Sequence, residues 1–168
     1  MWAIGVGHRR VCADPAHPLQ PHSCSYDSVK LNFSEVGSAL SRMWPSYYPA
    51  FETILFVIDA SNFVNLAGPA SELLALFYQL QENHKPTRVI IVLNKMDLSN
   101  EVDVKQIEAF LRLQQLCRDY ADFFGVENKD DIAKVHKVSA VNGVGVDELL
   151  EVLAKPVRDF KLDVLQEK

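Results

Sequence analysis

No apolar run in this chain is long enough to cross a bilayer. The longest, such as Ile54 to Ile58 and Val89 to Leu93, fall far short of the roughly 20 residues that a spanning helix needs. There is no long basic run, and the formal net charge is −5, so the electrostatic footprint of a DNA- or RNA-binding protein is missing. Cysteine is scarce. Cys12, Cys24 and Cys117 are odd in number and follow no zinc-ligand spacing, so free thiols in a reducing compartment, the cytosol, are expected. The start, MWAIGVGHRRVC, has no apolar core bounded by a cleavage site, so no secretory leader is expected. Trp2 stands where the myristoylation pattern needs glycine. What remains is an ordinary globular balance over 168 residues, 48% apolar and 23% charged. That suits one monomeric domain with a sizeable core.

Residues 1 to 28 differ from the rest: they hold three prolines and three of the five histidines and show no sustained period. They are expected to form an atypical, irregular arm ahead of a domain over 29–168. From Val29 the texture changes. Val29, Leu31 and Phe33 alternate with Lys30, Asn32 and Ser34, which predicts a half-buried strand. TILFVIDA (53–60) and RVIIVL (88–93) are apolar on both faces and predict central strands of a parallel sheet. Helical spacing predicts helices over 69–82, 101–124 and about 146–154, with a short strand over 135–138 and a last helix after Pro156 over 157–166. Alternating strands and helices give an α/β fold with right-handed crossovers.

Asn94-Lys95-Met96-Asp97 follows directly on the buried run VIIVL, and ligands of open parallel sheets bind beyond the carboxyl ends of strands. A carboxylate at Asp97 has two acceptor oxygens. Guanine presents two adjacent donors, its ring N–H and its exocyclic amine, which one carboxylate can meet together; adenine lacks that pair. Asn94 can bridge neighbouring loops. The Lys95 stem can lie along a flat base while its charge reaches solvent or phosphate oxygens. Ser139-Ala140-Val141-Asn142-Gly143 follows the next predicted strand, and the small residue there would let a backbone N–H approach the base carbonyl.

These residues resemble the small GTPases, and in detail their ADP-ribosylation-factor-like branch. Asn94, Lys95 and Asp97 match the base-specificity motif, and Ser139, Ala140 and Val141 match the second base loop. Trp44, Tyr47, Tyr48 and Asp59 fall in register with the family's switch and the strand after it. The resemblance covers residues 29 to about 155. It implies a P-loop NTPase-like G domain with a mainly parallel sheet, GTP or GDP as ligand with magnesium, and protein effectors that dock through the switch region.

The departures from the family pattern are concentrated at the phosphate end. Glu35 replaces the magnesium-side Asp, Gly37 is retained, Ser38 replaces the Gly whose N–H meets the terminal phosphate, and Ala39 replaces the water-orienting Gln. The loop Gly-x-x-x-x-Gly-Lys-Ser/Thr is absent. Ala3 to Arg9 offers only a faint remnant, with His8 in place of the lysine. The fold is therefore expected to be N-terminally incomplete, with its first strand, phosphate loop and first helix missing or replaced. A variant or truncated product is one reading of the abrupt change near residue 28. In the family the first strand lies between the strands at 29–36 and 53–59, so those two must pair directly, accept the arm between them, or fold poorly.

No catalytic residue and no metal ligand is assigned, and hydrolysis is expected to be very weak or absent. Two functions fit: an Arf-like GTP-binding switch with degenerate phosphate elements, or a nucleotide-independent interaction module on the same scaffold. Met43, Trp44, Tyr47 and Tyr48 form an aromatic cluster that reads equally as effector surface or as packing.

Overall fold

The computed structural model describes residues 2–7, 20–84, 86–99, 101–126, 128 and 132–155. The expected helix over 157–166 lies outside them, as do His8, Arg9 and most of the charged stretch 127–131.

The strands are β1 (Trp2–Gly7), β2 (Gln20–Tyr26), β3 (Val29–Gly37), β4 (Thr53–Asp59), β5 (Arg88–Asn94) and β6 (Ala133–Lys137). They form one sheet in the order β2-β3-β1-β4-β5-β6. The β4-β5 and β5-β6 pairs are parallel. The helices are α1 (Trp44–Tyr47), α2 (Ala67–Glu82), α3 (Glu101–Phe110), α4 (Leu113–Phe123) and α5 (Val146–Ala154).

The residues expected to be irregular thus contribute two strands. β2 and β3 make a hairpin in which Tyr26 pairs with Val29 around Asp27 and Ser28. Both turn residues have positive φ, 46° and 66°, the backbone of a type I′ turn, whose twist matches the flanking strands. No Asn-Gly or Asp-Gly announces it, so composition alone hides the hairpin. β1 fills the slot between β3 and β4, antiparallel to both. β4 therefore stays an interior strand, as its two apolar faces require.

The direction of β1 decides another point. β3 and β4 each oppose β1, so they run parallel to one another. Trp2 lies beside Gly37 and Val57 at the carboxyl rim, whereas Val6 pairs with Thr53 and Gly7 with Asn32 at the far end. Five residue steps of about 3.4 Å put Gly7 roughly 17 Å from that rim. β1 thus runs away from that rim, and Ala3 to Gly7 are strand residues; His8 and Arg9 of the remnant reading lie outside the described residues.

Period-two alternation sends β4 and β5 into two cores. Ile54, Phe56, Ile58, Val89, Ile91 and Leu93 face α2, α3 and α4. Leu55, Ile90 and Val92 face Leu31, Val138 and Leu153 of α5. Buried Arg88 ties the far end together: its Nε donates to Thr53 Oγ1 (3.0 Å), and its Nη1 to the Val152 and Lys155 carbonyls (both 3.2 Å) at the end of α5. A cation on terminal helix carbonyls is favourable twice, through hydrogen bonds and through the helix dipole.

The single helix expected over 101–124 is two. Val104, Ile107 and Leu111 are buried at helical spacing, then Leu113, Cys117, Tyr120 and Phe124. A continuous helix would carry the first stripe on to polar Gln114, Gln115 and Arg118. Arg112 instead adopts a left-handed backbone (φ 49°, ψ 38°) and resets the phase. Phe110, next to buried Leu111, is 55% exposed.

Candidate functional site

The carboxyl rim of β4, β5 and β6 presents Asp59, Asn94 and the loop after Lys137. Parallel pairing sets Asp59 beside Asn94, and the Ala60 N–H donates to the Asn94 carbonyl (2.9 Å). After Asn94 the chain turns sharply. Lys95 has φ 65° and ψ 39°, and Met96–Leu98 form one 3-10 turn that closes with Leu98 N–H on the Lys95 carbonyl (3.0 Å). The left-handed residue lets β5 end abruptly and turn Asp97 toward the next loop.

That next loop is held from both sides. Val138 N–H donates to the Leu93 carbonyl (2.9 Å) and Met96 N–H to the Val138 carbonyl (3.2 Å), which extends the β5-β6 ladder past the strands. Buried Ser139 donates its hydroxyl to Asp97 Oδ1 (2.5 Å). Ala140 N–H donates to Asn94 Oδ1 (3.1 Å). Two residues from each motif therefore interlock. The loop closes on itself through Ser139 N–H to the Val144 carbonyl and Gly143 N–H to the Ser139 carbonyl, both 2.9 Å.

Gly145 allows the loop to run straight into α5. Its φ is 75°, and an added Cβ would fall 2.1 Å from the Lys137 carbonyl oxygen. Only a residue without Cβ fits there. Sequence reasoning missed this position, although Gly143-Val144-Gly145 just ahead of an acidic helix start was a legible signal.

Three expectations about side chains need revision. The Ala140 N–H, expected to be free for a base carbonyl, is occupied by Asn94; the Val141 N–H makes no hydrogen bond among the described residues, and Val141 is 88% exposed. The Lys95 ammonium, expected to reach solvent or phosphate, rests on Asp59 Oδ2 (2.5 Å). Trp44, Tyr47 and Tyr48 are buried: Trp44 donates to the Gly37 carbonyl (3.3 Å) and meets Phe56 edge-on. Of that cluster only Met43 is exposed, so for the three aromatics packing is what the fold uses. Burial, and then the charge of Glu72, push the Tyr48 hydroxyl up from its ordinary range.

Asp59 is held below the usual carboxylate range. Burial works to raise it, but hydrogen bonds from Lys95 and from the Ser61 hydroxyl and N–H, with the Lys95 charge, outweigh that. The Ser61 bonds to Asp59 Oδ1 measure 2.6 and 3.0 Å. This group was in register with the family pattern but was not among the expected site residues; an aspartate closing a strand with serine two positions on was a further trace.

Glu35, Gly37 and Ser38 lie apart from the interlocked loops. Glu35 is flanked by Ile4 and Gln20 within the sheet, and Gly37 ends β3. Three strand spacings of about 4.8 Å separate β3 from β5, roughly 14 Å along the same rim. Among the described residues no group of three or more His, Cys, Asp or Glu side chains is placed to hold a metal ion, and no helix is long and apolar enough to cross a membrane. Two clefts lie elsewhere: about 380 Å³ beside the α3–α4 break and about 290 Å³ between Tyr48 and α2.

Residues 7–157 match the model of the ADP-ribosylation factor family. The chain belongs to that family. It is 30% identical over 87 residues to ADP-ribosylation factor-like protein 16 of Homo sapiens, a match covering 52% of this chain and 43% of that protein. It is 26% identical over 142 residues to ADP-ribosylation factor-like protein 2 of Dictyostelium discoideum (82% and 70% of the two chains). To ADP-ribosylation factor-like protein 1 of Drosophila melanogaster it is 24% identical over 140 residues, covering 82% and 69%. In this Arf-family chain β3, β5 and the loop after β6 end on one rim of the sheet. The reversed β1 stands in the slot that the sequence reading left open.

Proposed function

We propose that this Arf-family chain is a cytosolic regulatory protein that reads guanine through Asn94, Lys95, Asp97 and the Ser139–Val141 loop, and holds phosphate weakly. The observation that carries this reading is the interlock of the two loops, with Ser139 on Asp97 and Asn94 on Ala140. It fixes a carboxylate in place before any ligand arrives, so little ordering remains to be done on binding. Ser139 takes only one lone pair of Asp97, and a carboxylate has about four, which leaves acceptors for the ring N–H and the exocyclic amine of guanine. Lys95 covers the base with its stem.

At the phosphate end the same chain has little to offer. The sequence Gly-x-x-x-x-Gly-Lys-Ser/Thr is absent, Ala39 cannot orient water, and Ser38 stands at the position that would meet a terminal phosphate. GTP and GDP should bind weakly, magnesium should add little, and hydrolysis should be very slow or absent. Effectors would then respond to occupancy more than to the number of phosphates. A nucleotide-independent module is the second reading, favoured by the reversed β1 alone.

Titration with a fluorescent guanine nucleotide, with and without magnesium, separates these readings. Weak, magnesium-insensitive binding is expected. Asp97→Asn should move preference from guanine toward xanthine, because the side chain then offers one acceptor and one donor to a base edge of one donor and one carbonyl. Nanomolar magnesium-dependent affinity would overturn the phosphate argument, and an unchanged base preference would place the base elsewhere.

A further inference from the structure

We infer that Asp59 is a positioning residue of the base site, acting as a clasp that holds the Lys95 side chain across the end of the sheet. The inference rests on the guanine reading above and adds a residue to it. Asp59 closes β4, and its register partner Asn94 closes β5. Lys95 is the next residue, and its left-handed backbone (φ 65°) turns the chain out of the strand. From there the side chain crosses from the end of β5 to the end of β4, where Nζ meets Asp59 Oδ2 at 2.5 Å. The four-carbon stem thus spans the rim from β5 to β4, while the Asp97–Ser139 contact joins the ends of β5 and β6.

Asp59 is itself fixed. The Ser61 hydroxyl and N–H both donate to Oδ1, at 2.6 and 3.0 Å. This division leaves Oδ2 aimed at the ammonium. The Asp59 side chain is 30% exposed and the Lys95 side chain 48% exposed, so a water-borne ligand can reach the stem without breaking the clasp.

The physical consequence is preorganisation. A free lysine side chain has many rotamers, and a base that must lie against one rotamer pays to select it. With the ammonium pinned, that ordering is completed during folding. Removing the clasp should therefore weaken base binding by about three- to tenfold, the range expected for one rotamer-rich side chain. It should leave the choice between guanine and xanthine unchanged, since Asp97 makes that choice.

The test uses the full chain and ribose-labelled fluorescent GDP. Asp59→Asn keeps the size of the side chain and an acceptor for Ser61, but loses the charge that holds Lys95. Its affinity should fall about three- to tenfold. Lys95→Met keeps an apolar stem without an ammonium, and adding Asp59→Asn to it should cost nothing further, because the two act through one contact. Carbon-detected titration of the Asp59 carboxyl should show a value below the ordinary one in the parent chain, returning toward it in Lys95→Met. Parental affinity in Asp59→Asn, or losses that multiply in the double variant, would overturn the clasp. If that happens while Asp97→Asn still turns the site toward xanthine, the base reading stands and only Asp59's role falls. If the parent chain binds no guanine compound, both fall.

Discussion

Gly145→Ala and Gly143→Ala make a matched pair inside one loop. Both glycines have positive φ, 75° and 80°, so alanine at either costs about 1–2 kcal/mol for the left-handed backbone. They differ in what the new methyl meets. At Gly143 nothing lies within 4 Å, whereas at Gly145 the Cβ would sit 2.1 Å from the Lys137 carbonyl oxygen. Ordinary C···O contact is about 3.3 Å, so an overlap of roughly 1.2 Å must be relieved by moving backbone. The segments that can move carry Ser139 N–H to the Val144 carbonyl (2.9 Å) and Val146 N–H to the Gly143 carbonyl (3.2 Å). Losing these adds about 1 kcal/mol each. Gly145→Ala should therefore cost about 3–4 kcal/mol and Gly143→Ala about 1–2 kcal/mol. For a chain of this size 1 kcal/mol moves Tm by about 2–4 °C, so the two variants should differ by roughly 4–8 °C. Urea denaturation measures the gap directly, and guanine affinity should fall further in Gly145→Ala, because that loop carries Ser139 and Ala140. Equal costs, within about 0.5 kcal/mol on the ±0.3–0.5 scale of such comparisons, would show that β6 and α5 do not meet as described.

Tyr120→Phe removes the buried hydroxyl that donates to the Thr87 carbonyl (2.9 Å) and accepts from the Thr87 N–H (3.3 Å). A loss of about 1–2 kcal/mol in urea is expected, and an unchanged midpoint would contradict the buried contact. Arg88→Met should cost about 2–3 kcal/mol, since Thr53 and the last carbonyls of α5 lose their donor. Amide exchange should quicken first at the α5 end, and protection there equal to that of the parent would refute this. Asp59 has its carboxyl held low in the folded chain. Its contribution is present above the ordinary value of 3.8 and is lost as pH falls through the lowered folded value. Because the pair is partly exposed the effect is small, about 0–1 kcal/mol; Lys95→Met should flatten that part of the acid profile, and an unaltered profile would count against the ion pair.

Much of the rim was legible in the residues. Two strands apolar on both faces must be interior and parallel, and Asn-Lys-x-Asp directly after one of them sits where ligands of such sheets bind. β3 and the 146–154 helix follow from their periods. The α3–α4 break could also have been read, since the apolar phase slips between Leu111 and Leu113.

Other features depend on contacts distant in sequence, and only the fold decides them. WAIGVG has no period that distinguishes a strand from a loose end; it becomes β1 because β3 and β4 leave a row of unpaired backbone groups between them, and hydrogen bonding fills that row. Its direction, antiparallel to both neighbours, has no trace in composition. The same holds for Lys95, whose local sequence allows any rotamer and whose resting place is set by Asp59, 36 positions earlier. Local pattern determines which face of an element is apolar. Which neighbour satisfies each polar group is settled only when the chain has folded, because hydrogen bonds and ion pairs depend on distances that no short stretch of sequence encodes.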